Sequence, residues 1–243
     1  MAIIKDHGVV LREYAAGESN KKLVLLTASH GKLTAFARGS RRVGSKLASD
    51  LFCYNEFIFF DGGSFLSLNQ VSPIKHFAGI ADDFDSYCYA CYLLEIADAM
   101  LLPKMETGEA LRLILHGLNE LSTGRLPPKV IFAAFTFKFL QIEGFAPLVD
   151  CCMHCEKQIT FDGDVWLLPD GLVCGLCASG GATGGTLLSP QARAALEYIL
   201  KVNSENVFAF NASPDVYDQL HHAAGRFLSA NVDVEFKSLM MFK

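Results

Sequence analysis

The stretch LVLLTASHGKLTAFAR, Leu23–Arg38, decides the fold of the front of the chain. Within it, Lys32–Arg38 alternates. Leu33, Ala35 and Ala37 fall on one face, and Lys32, Thr34, Phe36 and Arg38 on the other, the period-two pattern of a strand with one buried side. SerHisGly at 29–31 supplies a hairpin connection back to the β-rich run Leu23–Ala28. Upstream, the turn-prone AAGESN (15–20) leads back to Val9–Tyr14. Downstream, a charged loop at Gly39–Ser49 precedes Phe52–Phe60 and Phe65–Ser72, which AspGlyGly at 61–63 joins as a second hairpin. Five strands in about 75 residues predict a small closed barrel of the OB type. An SH3-like barrel is the alternative that periodicity alone leaves open.

Beyond the barrel the period becomes helical. Asp82 and Asp83 suit a helix N-terminus, with Tyr87, Cys91, Leu94 and Leu101 on one face and Pro103 as the stop. A second helix is expected from Thr107 to Leu121, with Leu111, Ile114, Leu115 and Leu118 as its stripe. Pro127–Pro128 opens a third, rich in phenylalanine (132, 135, 137 and 139) and ending near Gly144. Two more come after Ser189–Pro190 and Ser213–Pro214, serine caps with proline at the first helical position. The Gly-rich spacer Ser179–Gly185 is expected to be a mobile loop. The expected class is therefore α+β multidomain: a barrel domain at 1–80, then an α-helical domain at 81–243 with a cysteine module inserted at 150–178.

The charge is uneven. The chain of 243 residues has a formal net charge of −5. Residues 1–50 hold nine Lys/Arg against four Asp/Glu, a net +5 that leaves −10 for the remainder. A basic front on an acidic body makes the mean charge a poor guide to partners. The start, MAIIKDHGVV, has no uninterrupted apolar core of a secretory signal. The greasiest segment, Cys88–Leu102, carries Glu95 and Asp98, which argues against a membrane span. Eight cysteines without such a signal point to thiols or metal rather than a disulfide framework, and to the cytoplasm.

Two pairs of those cysteines form the most specific motif. Cys152-x2-Cys155 and Cys174-x2-Cys177 are eighteen residues apart, in the range of a four-cysteine zinc site. Each pair can form a tight knuckle with backbone N–H groups facing sulfur, and two knuckles complete a tetrahedron. Trp166–Leu168, ProAspGly and Leu172–Cys174 read as the hairpin that delivers the second knuckle. Four thiolates leave no open coordination position, so one structural zinc ion is expected, with buried free thiols as the alternative. Cys151 and His154 adjoin the motif, and Cys151 is the spare. Cys88-x2-Cys91 lies among Tyr and Leu on a helix, where cysteine packs as a small apolar residue.

Arg38, Arg41, Arg42 and Lys46 lie in a nine-residue window without an acid. Such a loop can follow a phosphate backbone while neighbouring aromatics stack bases, with steep salt dependence; a solvated loop is the bland alternative. Lys21, Lys22 and Lys32 extend the surface. No Walker loop, GxSxG, HExxH or paired-carboxylate motif is present, so no catalytic residue is expected and the chain reads as a non-enzyme. His221–His222 reads as a surface or packing pair, and Asp82, Asp83 and Asp85 as helix capping.

GESN (17–20), LLTASHGK (25–32) and AFARGSRR (35–42) resemble the opening of the RecO family of bacterial recombination mediators. The resemblance continues through Leu51–Phe60, YCYACYLLE (87–95), EGFAP (143–147) and the closing FKSL (236–239). It implies an OB-fold, a helical domain with an embedded zinc module, and binding of single- and double-stranded DNA. It also implies annealing of complementary strands and partnership with RecR and the acidic tail of single-stranded DNA-binding protein, to help load RecA at gaps on the nucleoid. On this sequence Arg38, Arg41, Arg42, Lys46 and Lys32 carry the DNA contacts. A basic, apolar groove for the partner tail is expected near Arg112, Lys129 and Lys138. The acidic body departs from a generally basic surface and would confine DNA to the barrel. An adaptor that binds proteins through the barrel and zinc module, and a zinc-dependent hydrolase, are the competing readings.

Overall fold

The structure, a computed structural model, describes residues 2–42, 45, 47, 51–63, 65–159, 163–179, 185–234 and 236. Five strands open it: β1 (Ala2–Ala16), β2 (Asn20–Thr27), β3 (Gly31–Ala37), β4 (Cys53–Asp61) and β5 (Leu66–His76). They close into a barrel in the order β1-β2-β3-β5-β4, with β4 returning antiparallel to β1. Only β3 and β5 run parallel, joined at Ala35–Leu66 and Phe36–Ser67. That single crossover is the OB arrangement, and it removes the SH3-like alternative. The interior is filled by Val10, Leu23, Leu25, Ala35, Ala37, Phe57, Phe59 and Leu68, so the alternation in β3 points inward as the sequence predicts.

β1 is longer than its apolar run suggested. Its first half, Ala2–Gly8, carries Lys5, Asp6 and His7, yet pairs with β4 from Ala2–Asp61 to Gly8–Asn55. The charges are accommodated across the sheet: Lys5 pairs with Glu56 at 2.8 Å. A bulge between Val10 and Arg12 breaks the alternation, which is why Val9, Val10 and Leu11 are buried in succession.

A 3₁₀ turn (Ala78–Asp82) leads into α1 (Phe84–Met100), capped by the Asp83 carboxylate, which accepts from the Ser86 N–H at 2.8 Å. The face expected for α1 is right in part: Leu94 and Leu101 are buried and Cys91 half-buried, but Tyr87 is exposed, and Cys88, Tyr89, Tyr92, Leu93, Ile96 and Ala97 are buried as well. A helix apolar on most sides has too weak a period to show which side faces inward. In α2 (Gly108–Thr123) the expected stripe is buried at Leu111, Ile114 and Leu118. Asp98 of α1 binds both Arg12 of β1 (3.0 Å) and Lys32 of β3 (2.9 Å), pinning the helix to the barrel.

The chain divides into two compact units, Met1–Thr123 joined by the chain's end at Phe236, and Gly124–Glu235. The first two helices thus belong with the barrel, although the strand-to-helix transition lies near residue 80. Phe236 sets its ring edge-on to Tyr92 at 5.2 Å; the rest of FKSL lies outside the described residues.

The second unit starts with α3 (Pro128–Ile142), buried from Val130 to Leu140. The module strands β6 (Val165–Leu167) and β7 (Leu172–Cys174) form the expected hairpin, continued by the short α4 (Gly175–Ala178). A third strand, β8 (Thr186–Leu188), pairs with β6 and was not foreseen, because three residues carry no measurable period. The spacer residues 180–184 lie outside the described residues. Helices α5 (Pro190–Lys201) and α6 (Pro214–Asn231) pack with α3, and the Ser189 hydroxyl caps α5 at the Ala192 N–H. Among the described residues no helix is long and apolar enough to cross a membrane.

Candidate functional site

The turn that ends β3 displays the arginines. Gly39 takes a positive φ of +69°, reversing the chain so that Arg38, Arg41 and Arg42 are all exposed. The β1–β2 turn braces it from the side. Asn20 Oδ1 accepts from the Gly39 N–H at 2.8 Å, Ser19 O accepts from the Arg41 N–H at 3.0 Å, and Arg41 Nη1 donates to Gly17 O at 2.9 Å. Ser40, buried, donates to Ala37 O at 2.8 Å. Two sequence segments about twenty residues apart, GESN and ARGSRR, therefore build one rigid feature. Asn20 positions it, a role visible only once the turns are adjacent.

Aromatic side chains flank these cations. Tyr14, Lys22, Phe36 and Ser67 are successive cross-strand neighbours on the outer face of β1, β2, β3 and β5. Lys22 lies 5.9 Å from the Tyr14 ring centre. At the other end, Phe36 meets Phe65 edge-on at 5.6 Å, and the Arg38 guanidinium sits over the Phe65 ring at 5.6 Å. Tyr14 and Phe65 are each nearly half exposed. Stacking surfaces interleaved with cations are what a single strand requires. No linear motif announces this row, because its members come from four strands and a loop.

A second bracing unit lies at the β2–β3 turn. Asp6, buried, accepts from the Ser29 N–H (3.1 Å) and the His30 N–H (3.1 Å), and pairs with His30 Nδ1 at 2.7 Å. Burial by itself would raise the carboxyl pKa. The hydrogen bonds from His30, the His7 and Ser29 N–H groups and Thr27 outweigh it, and the pKa is lowered.

In the other unit, the ligand atoms of Cys152, Cys155, Cys174 and Cys177 lie within 4.8 Å of one another and could hold a metal ion. Cys152 is buried and the other three half-buried. The first knuckle closes through a Glu156 N–H to Cys152 O bond of 2.8 Å, with Glu156 in the left-handed region (φ 60°). Burial opposes ionisation of Cys152, but N–H groups of Cys174, Cys155 and His154 donate to its sulfur and bring the thiol down to about 6. Cys177, hydrogen-bonded to Cys174 and Cys155 beside that sulfur, is pushed up to about 12. Four thiols this close cannot all ionise unless a cation offsets them. Cys151 stands outside the quartet, bridged to Gln158 instead, and His154 is exposed. Arg193 of α5, buried, secures the module by donating from Nη1 to Ile159 O at 3.1 Å while pairing with Glu197 at 3.1 Å. Its sequence context marks it only as a helix residue.

The barrel and the helical part after it match two family models in order: the N-terminal domain of recombination protein O over residues 1–77, and its C-terminal domain over residues 81–240. The chain belongs to the recombination protein O family. Among similar curated proteins, the DNA repair protein RecO of Acetivibrio thermocellus is 29% identical, over all of this chain and 97% of the relative. That of Clostridium acetobutylicum is also 29% identical, over 98% and 96%. The Moorella thermoacetica protein of the same name is 30% identical over 72% of this chain and 66% of its own length.

Against the expectations carried by the RecO resemblance, two lysines take other roles. Lys32 is half-buried, and its ammonium pairs with Asp98 and donates to the carbonyls of Asp98 and Leu101 at the end of α1. It closes a helix C-terminus, where a cation meets unsatisfied carbonyls and the negative end of the dipole. Lys138 does the same for α5: buried, it donates to Gln141 Oε1 at 2.8 Å and to the carbonyls of Leu200 and Val202. Neither ammonium is presented as a surface contact. Lys129 pairs with Asp218, and Arg112 is exposed on α2. Lys46 lies outside the described residues.

Proposed function

We propose that this protein is a non-catalytic DNA repair mediator that binds DNA on the outer face of its barrel. The observation that carries the reading is the braced turn with Arg38, Arg41 and Arg42 exposed beside Tyr14, Phe36 and Phe65. Three cations at the edge of a stacking surface suit a phosphate backbone with its bases turned inward. Phosphate contacts confer affinity without sequence preference, so double strands are bound through the same arginines. Membership of the family, and relatives that bear the name DNA repair protein, support annealing of complementary strands and action with RecR and the tail of single-stranded DNA-binding protein in loading RecA. Lys46 extends the phosphate track. Of the cations expected to meet the acidic tail, Arg112 keeps that role. Action on the nucleoid in the cytoplasm accords with this reading.

The metal in this reading is one zinc ion with a structural role. Zinc–sulfur bonds of about 2.3 Å in a tetrahedron put sulfurs about 3.8 Å apart, and Cys155 Sγ lies 3.9 Å from Cys174 Sγ. The quartet fits. Bound zinc would offset the thiolate charge and join the knuckle at 152–155 to the β6–β7 hairpin.

The deciding experiment is binding and annealing of labelled single strands across a salt series, for the wild type and for Arg41→Ala/Arg42→Ala. The wild type should bind and anneal at low salt and weaken steeply as salt rises, and the variant should lose most of its affinity. Equal binding by the two proteins would remove the barrel turn from the site. A wild type that neither binds nor anneals at low salt would overturn the mediator reading.

A further inference from the structure

The described part of the first unit holds a cavity of about 880 Å³ beside the β3–β5 seam. Only two residue pairs join those strands, and next to that short seam the wall between them opens. Thr34 and Leu33 of β3, Phe65 and Leu66 at the start of β5, and Met105 and Pro103 from the segment between α1 and α2 line it. The space is several times the volume of one nucleobase, and its apolar side chains share the wall with His30, Lys104, Asp61 and Glu106.

Its walls are held rather than loose. Gly31 (φ 63°) lets the Met105 carbonyl approach so closely that a Cβ at residue 31 would lie 2.3 Å from it. Lys32 bridges to Pro103 and holds the end of α1, while Asp6 fixes the Ser29–His30 turn. A cavity with fixed walls loses little freedom when a ligand enters. Apolar residues around a preformed space, with a few polar groups among them, are the usual make-up of a small-ligand site.

The surroundings of the cavity indicate its occupant. Phe65 belongs to both features: it lines the cavity, and its ring ends the outer row that runs through Phe36 and Lys22 to Tyr14. Arg38 covers the same ring. A single strand lying along that row reaches the cavity mouth at Phe65, with the arginine over the ring available to the adjoining phosphate. We infer that the cavity receives one unstacked nucleobase of a single strand bound across the barrel. The inference rests on the DNA-binding reading and adds a discrimination: a paired base cannot enter without leaving its duplex. Contact with the apolar side chains favours any base over none, so sequence preference should be weak.

The test uses the full-length protein, with anisotropy of labelled strands about 12 nucleotides long, within the site size of a single barrel of this type. Thr34 is exposed on the outer face of β3, so Thr34→Trp obstructs the β3 side of the cavity without entering the barrel core. Met105→Trp narrows the same space from the segment between α1 and α2, and serves alone if the Thr34 variant does not fold. Each should weaken binding of a normal strand about tenfold, the loss of roughly one stacked base, leaving duplex affinity unchanged. Neither should alter binding of a strand of the same length built from abasic sites, which the wild type should bind more weakly than the normal strand. Equal binding of normal strands by wild type and both variants would overturn the base-capture inference, as would equal wild-type affinity for normal and abasic strands. The Arg41→Ala/Arg42→Ala protein separates this from the parent reading. If it loses both substrates while the cavity variants lose neither, DNA binding stands and base capture falls. If the wild type binds no strand, both fall.

Discussion

The four-cysteine cluster and the basic barrel face are both functional candidates, but they are built by opposite means. The cluster is local. Each knuckle is made by residues close in sequence, and the Cys152 sulfur accepts from N–H groups of its own turn and of Cys174. The barrel face is assembled from a distance: Asn20 holds Gly39, Ser19 holds Arg41, and the aromatic row draws on β1, β2 and β3. Two CxxC pairs at zinc-site spacing have few other uses. A lysine has many, and two expected as surface contacts, Lys32 and Lys138, close helix ends. Charge marks what a side chain can do, whereas burial decides what it does.

The largest expected effect breaks the local site. Cys174→Ser, or removal of metal by a chelator, should abolish bound metal and unfold the module around residues 150–178, since a structural zinc contributes on the order of 10 kcal/mol. Metal analysis and limited proteolysis would show it, with DNA affinity changing less than metal content. A folded, metal-replete variant would show that Cys174 is no ligand.

Next comes the distant kind of contact at its most buried. Lys138→Met leaves the Leu200 and Val202 carbonyls without their donor, which should lower stability by about 2–4 kcal/mol and depress the melting temperature, with DNA affinity unchanged. If partner binding were lost at unaltered stability, Lys138 would be a contact after all, and the contrast between the two lysine roles would fail.

Acid probes the barrel's own bracing. Because the folded Asp6 pKa is lowered, its stabilisation is present above the unfolded carboxyl value of about 3.9 and is lost as pH falls through the folded value. Asp6→Asn should therefore be less stable than wild type at neutral pH, by about 2 kcal/mol, and the gap should narrow below about pH 4. A gap that stays constant from neutral to acid pH would mean that the Asp6 charge is not what holds the β2–β3 turn.

The smallest effects sharpen the comparison on the barrel itself. Arg41→Ala should reduce the slope of log affinity against log salt by about 0.7 for single strands, with little change in melting. Lys32→Met should do the reverse, destabilising by about 1–3 kcal/mol and leaving the slope alone. Identical behaviour of the two would erase the distinction between a displayed cation and one that closes a helix.

The barrel was legible because β3 alternates cleanly and its neighbours are bounded by turn residues, and the cysteine quartet was legible because its members stand at short spacings. The buried face of α1 was legible only at Leu94 and Leu101, since Cys88, Tyr89, Tyr92 and Leu93 surround the axis and leave no dominant side. β8 was too short to read, and Arg193 looks like any helix arginine until Ile159 and Glu197 are found beside it.

By itself, then, the sequence determined what depends on near neighbours: strand alternation, helix caps at Asp83 and Ser189, and two cysteine knuckles. Only the tertiary structure decided which cations remain in solvent, which aromatic rings form a row, and that a cavity opens beside the β3–β5 seam. The reason is physical. Backbone period and metal geometry act over a few residues, but the desolvation and hydrogen bonding that commit a lysine to a helix end arise between groups more than sixty residues apart, as from Lys32 to Asp98 and from Lys138 to Leu200.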